Sequence, residues 1–171
     1  MGLDITAYSG LTKIENPARD QYGDLRGSVV TFFANASFPG REEGVDANAV
    51  YSYSNSFEFR AGSYSGYNAW REWLAQIAGY PAIKCNRWNG RTEMRHDAAA
   101  SAAGAGPFYE LLHFSDCEGV IGHVVSAKLA KDFAEFQAKA DAAEQGYLKE
   151  SYAKWRKAFE IAANNGAVKF H

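Results

Sequence analysis

The chain has 171 residues, a formal net charge of −2 and an aromatic share of 15%, with ten Tyr, eleven Phe and four Trp. That length suits one domain with a substantial core, and the near-neutral charge argues against wholesale binding of long nucleic acid. No apolar run approaches the roughly 20 residues of a bilayer-spanning helix, so no membrane partner is expected.

Cys85 and Cys117 are the two cysteines, too few for a disulfide framework and suited to a reducing compartment. The opening Met1-Gly2-Leu3-Asp4-Ile5 lacks a basic segment followed by an apolar stretch, so no signal peptide is expected. Gly2 and Thr6 fit the short Met-Gly-x-x-x-Ser/Thr acylation pattern, but the same residues read equally well as a strand. The expected location is cytoplasmic.

Taken in chain order, Leu3 to Tyr8 reads as a strand with Leu3, Ile5 and Ala7 on one face. Residues 15–27 carry Asn-Pro, Tyr-Gly and Arg-Gly pairs and read as loop. Ser28 to Ala36 is β-rich and stops at Phe38-Pro39-Gly40. Val50 to Arg60 alternates aromatic and Ser/Glu positions with a period of two, which predicts a half-buried strand. A helix follows from Tyr67 to Ala78, with Tyr67, Trp70, Leu74 and Ile77 at helical spacing and Gly79-Tyr80-Pro81 as its stop.

Residues 85–107 lose all periodicity. They hold an Asn89-Gly90 turn and an Ala/Gly-rich run, so a flexible insert or lid is expected there. Phe108 to Phe114 reads as a strand, and Ser115 to Gly119 as a loop opening a long helix through Leu129 and Phe133. A second helix carries Leu148, Tyr152, Trp155 and Phe159, with Gly146 between the pair, and Ala167 to His171 closes the chain as a short edge strand. The expected fold class is a single α+β domain, an antiparallel or mixed sheet with three main helices packed on it.

Two strand–loop–helix segments concentrate the candidate chemistry. In the first, Arg60, Ser63, Ser65 and Arg71 supply charge and hydroxyls, Gly62 and Gly66 allow close backbone approach, and Tyr64 and Tyr67 offer rings for stacking. A helix N-terminus there would favour an anion. The plain alternative is a turn capped by Ser63 or Ser65.

The second segment places Ser115, Asp116 and Glu118 where they could read hydroxyls or amines, or where Ser115 and Glu118 form a capping box. The first loop has neither the Walker lysine spacing nor the dinucleotide glycine fingerprint. His113, Asp116, Cys117, Glu118 and His123 are ligand types without a metal-site spacing, so neither metal nor cofactor is expected. His113-Phe114-Ser115 has the shape of one half of a two-histidine phosphoesterase, but neither His96 nor His123 supplies the other half. Arg87, Arg91 and Arg95 would share a face if helical, as a cationic lid or a solvated loop.

The opening Met1 to Tyr8, the Phe59-Arg60-Ala61-Gly62-Ser63-Tyr64 segment and Phe114-Ser115-Asp116-Cys117-Glu118-Gly119 resemble a group of small phage and prophage proteins generally labelled as of unknown function. The resemblance covers most of the chain outside residues 85–107. It implies a bacteriophage-type cytosolic protein and carries no catalytic residue with it. Small phage proteins of this sort include inhibitors of host defence, some of which sequester nucleotide immune signals. The resulting expectation is a non-enzymatic, homo-oligomeric binding protein for a small nucleotide-like anion of the cyclic nucleotide or ADP-ribose type. The alternatives are an inhibitor that docks on a host protein and, third, a phosphoester hydrolase using His113, Asp116 and Glu118.

Overall fold

The computed structural model describes residues 2–86 and 90–171. The chain opens with β1 (Leu3–Ser9), β2 (Thr12–Ile14), β3 (Val29–Thr31), β4 (Val50–Ser52) and β5 (Asn55–Gly62), followed by α1 (Tyr64–Ile77). The hairpin β6 (Ile83–Asn86) and β7 (Thr92–Arg95) leads into α2 (His96–Ala103) and the single turn α3 (Tyr109–Leu112). Then come β8 (Gly119–Gly122), α4 (His123–Glu135), α5 (Gln137–Asp141), α6 (Gly146–Ala162) and β9 (Ala167–Phe170). The class is α+β.

A four-stranded antiparallel sheet of order β5-β1-β9-β8 forms the centre. Alternation along β1 divides its side chains between two environments. Leu3, Ile5 and Ala7 are at most 1% exposed and meet the helices, whereas Tyr8 joins Tyr53 on the opposite face. On the helical side α6 runs over β1, with β5 and β9 to either side of it, and α4 lies on β8 and β9. Trp155 of α6 is the hub, with the rings of Phe59, Tyr67, Trp70, Phe159 and Phe170 centred 5.1 to 5.8 Å away. Buried rings of this size dominate the apolar area removed from water.

The other face is covered at one end by the small sheet β2-β4-β3, through Leu11, Val30, Phe32 and Tyr51 against Val120 and Ala167. The chain enters that small sheet from β1 and returns from it to β5. The alternating run from Val50 to Arg60 is therefore two strands in two sheets, broken at Tyr53-Ser54. Periodicity continues through the break because both strands have a buried face, so the pattern alone does not reveal the change of sheet.

Three further expectations are corrected. Ala167–Phe170 is an interior strand between β1 and β8, and not an edge. Phe108 to Phe114 is not a strand. Phe108 takes a positive φ of 57° and opens the α3 turn, whose C-terminal carbonyls are gripped by two arginines. Third, the long helix after Gly119 begins only at His123, because residues 119–122 first pair with β9 as β8.

Residues 85–107 contain a paired hairpin and a helix, where a flexible insert was expected. Alanine lets α2 sit close against α1, with Ala99 and Ala100 buried. The following turn is tied by Tyr80 Oη to the Pro107 carbonyl at 3.0 Å and by the Phe108 amide to Asp132 at 2.7 Å. Arg91 and Arg95 flank and end a strand, so they form no helical stripe; Arg87 and Asn89 lie outside the described residues.

Candidate functional site

β5 ends at Gly62, whose φ of 106° is unfavourable for any residue with a Cβ and turns the chain out of the sheet into α1. Ser63 then caps the helix, its Oγ accepting from the Gly66 amide at 3.1 Å. α1 thus starts one turn earlier than its apolar spacing predicts, and its first turn carries no acidic side chain. Opposite it, α6 enters at Gly146 and presents Tyr147, Glu150, Ser151 and Lys154 along one side.

Between the two lies a cleft of 290 Å³. Arg60, Ala61 and Gly62 form its sheet wall, Gly66 and Trp70 its α1 wall, and the four α6 residues the third. Its lining includes the cation Lys154 and the carboxylate Glu150, whereas Arg60 borders it with its guanidinium turned to Asp4, on the sheet face away from the helices. Arg60 is held loosely, 3.5 Å from Asp4 and with 61% of its side chain exposed. Tyr147 is 65% exposed and so keeps a ring face free. Trp70 is 3% exposed, and its indole N–H is a buried donor without an acceptor among the described residues.

The remaining candidates fall in other places. Tyr67 is fully buried, with Trp70 and Trp155 stacked on it at 6.1 and 5.4 Å and the Arg71 guanidinium 4.7 Å from its ring centre. Burial pushes its hydroxyl pKa up to about 12. It is a core ring, and the expectation that it stacks on a ligand is corrected. Tyr64 is half-buried against the main core, and Ser65 faces a separate polar depression beside Asn68 and Arg95.

Arg71 is also committed elsewhere. It donates to the carbonyls of Phe114 at 2.6 Å and Leu112 at 3.4 Å, and to the Asn68 side chain. Asn68 in turn donates to Asp116 at 2.8 Å. Arg71, Asn68 and Asp116 therefore form a latch between α1 and the 112–116 segment. The two loops singled out in the sequence do meet, but through this latch and not across one cleft.

Ser115 is 7% exposed, and its Oγ accepts from the amides of Cys117 at 3.2 Å and Glu118 at 3.0 Å. That is the capping geometry expected of it, placed ahead of a strand and not a helix. Glu118 is exposed, and its backbone carbonyl accepts from Asn35 at 3.1 Å.

His113 is wedged between the rings of Phe38 and Tyr109, 5.5 and 5.6 Å away. Burial, with the cations Arg41 and Arg71 nearby, lowers its pKa below the usual histidine value, so it is neutral at pH 7. Its Nδ1 lies 3.4 Å from the Tyr109 hydroxyl, while Ser115 is occupied by its own turn. The two do not form a nucleophile–base pair. No group of three metal-ligating side chains occurs among the described residues.

Sequence reasoning missed the α6 wall. Tyr147, Glu150, Ser151 and Lys154 recur at steps of three, one and three, beside the buried Leu148 and Trp155. That spacing marks a stripe at the margin of the buried face, although Lys154 by itself reads as ordinary solvated surface. No family model, curated protein or solved structure matches the chain. Among the described residues no helix is long and apolar enough to cross a membrane.

Proposed function

We propose that the cleft between β5, α1 and α6 binds a small nucleotide-like anion, and that the protein sequesters this ligand without turning it over. The observation that carries the reading is a concavity lined by the cation Lys154 with an exposed aromatic ring, Tyr147, at its mouth. A cation there suits a phosphate, through charge-assisted hydrogen bonds. Tyr147 takes the stacking role, and Glu150 accepts from a ribose hydroxyl or a base amine. The volume of 290 Å³ lies just below the range of about 300–1,000 Å³ for small-molecule sites. That favours a mononucleotide or cyclic mononucleotide over a dinucleotide or an extended ADP-ribose.

Retention is preferred over hydrolysis because the lining residues include neither histidine nor cysteine. In a phage setting, such a protein would lower the free concentration of a nucleotide immune signal in the host cytoplasm.

The test is calorimetric titration with a panel of linear and cyclic mononucleotides and ADP-ribose, followed by heat release and chromatography of the bound material. Saturable binding of one class and recovery of the intact molecule are expected. Lys154→Ala should weaken that binding about tenfold, the size of one charge-assisted hydrogen bond. Absence of uptake from the whole panel sinks the reading, and recovery of an altered molecule replaces it with catalysis.

A further inference from the structure

We propose that the outer edge of β5 pairs antiparallel with β5 of a second copy of this chain, joining two four-stranded sheets into one of eight strands. β5 is an edge strand of eight residues, longer than the common strand length of about 5–6. It holds no proline and no lysine, the strongest of the devices that blunt an edge; its two exposed charges are of opposite sign, and its register shift against β1 is confined to the Arg60–Gly62 end.

Backbone alternation identifies which groups the edge offers. Asp4 exchanges both backbone hydrogen bonds with His171, at 2.9 and 3.0 Å. The even-numbered residues of β1 therefore face β9, and the odd-numbered ones face β5. Through the pairs Ile5–Phe59 and Ala7–Phe57, the odd residues of β5 turn their N–H and C=O groups inward. Ser56, Glu58 and Arg60 turn theirs outward, and among the described residues nothing else in the chain hydrogen-bonds them there.

A two-fold self-pairing must set outward residues opposite outward residues, so the axis passes through a residue position and not between two. Placed on Glu58 it opposes two carboxylates, and on Arg60 two guanidiniums. Placed on Phe57 it sets Glu58 against Ser56. Placed on Phe59, it sets Glu58 of each copy opposite Arg60 of the other, twice, with Phe59 against Phe59 and Phe57 against Ala61 on the helical side. Opposite charges directly across a ladder attract, and like charges repel. Glu58 and Arg60 are both exposed and Phe57 and Phe59 only half-buried, so this register uses what the edge leaves open.

The helical layer leaves room for it. Because α6 runs over β1, it stands about one and a half strand spacings, roughly 7 Å, from the axis. The two α6 helices would lie about 14 Å apart, beyond the 8–10 Å of packed helices. The proposal does not depend on the ligand reading, although Arg60 and Ala61 of the cleft wall both lie in the seam.

Sedimentation of the full chain should give a dimer of twice the 18.8 kDa chain mass. Glu58→Arg, which sets arginine against Arg60, should raise the dimer dissociation constant about tenfold or more. Glu58→Pro removes an outward donor that the β1 ladder does not use, and should give monomers with an unchanged far-UV circular dichroism spectrum. If that variant loses its fold, Glu58→Arg carries the test alone.

A wild-type chain that stays monomeric up to its solubility limit overturns the proposal, as does a dimer whose dissociation constant is unmoved by Glu58→Arg. Nucleotide titration of the same Glu58 variant separates the two readings. Monomers that still bind leave the ligand site standing, and dimers that bind nothing leave the edge pairing standing.

Discussion

Arg60 and Arg71 stand eleven positions apart in one strand–loop–helix segment and look interchangeable in the sequence, yet the fold gives them opposite work. Arg60 lies on an exposed edge at the rim of a cleft, and Arg71 holds two carbonyls at the end of a helical turn. No pattern in the chain separates them, because the difference depends on residues 112–116 arriving from elsewhere. Arg71→Met should therefore cost about 2–3 kcal/mol in urea denaturation, through carbonyls left without a charged donor, while leaving nucleotide affinity in the folded protein unchanged. A loss of affinity without a loss of stability would return Arg71 to the binding site.

His113 adds a pH dependence with a definite sign. Its folded pKa is depressed below the usual 6.5, so the unfolded chain binds more protons within that window. The contribution is fully present above the unfolded value and is lost as pH falls towards the folded one. As pH falls below the usual histidine value, His113→Gln should flatten part of the decline in the urea midpoint. An identical slope in both proteins would mean that the histidine is solvated.

Among the elements, those with a large apolar stripe were legible in advance: β1, α1, α4 and α6 stand within a turn of where periodicity puts them. What escaped is what tertiary hydrogen bonds hold. α2 has no side-chain cap of its own, and Glu72 of α1 accepts from the amides of His96 and Asp97 at 2.9 and 3.0 Å. Local sequence contains no trace of a cap donated from 24 residues away. Glu72→Ala should destabilise α2 by about 1–2 kcal/mol, the range for a lost N-cap. Faster amide hydrogen exchange across 96–103 would register it, with β1 and β9 still protected. Exchange that rises everywhere at once would show that α2 and the sheet open as one unit.

At the scale of the whole molecule, one sheet separates two hydrophobic clusters of unequal size. The class and the helical layer follow from composition and periodicity. The second cluster does not, because β2 and β3 are three residues each, too short to carry a period, and the alternation through β4 runs on into β5 and hides the change of sheet. The candidate site was half legible for a similar reason: its β5 and α1 walls are contiguous in sequence, and its α6 wall comes from about 80 residues further on. Trp155→Ala removes the ring on which both sheet and helices converge and should cost about 3–5 kcal/mol, a large share of the roughly 5–15 kcal/mol of a typical domain. A guanidinium midpoint that hardly moves would show that the core can close over the missing indole.

The near-parallel stack of Tyr67, Trp70 and Trp155 also has an optical consequence. The Trp70 and Trp155 rings are 5.5 Å apart with planes 17° from parallel, close enough for their excited states to couple. Coupled indoles give a paired dichroism band at their strong far-ultraviolet transition, whose sign and size follow their mutual angle. Trp70 is at once a member of that pair and a wall of the cleft, so a molecule entering beside it perturbs the band without any added label. If the proposed ligand binds there, the protein carries its own occupancy signal, readable in the same cuvette as its folding.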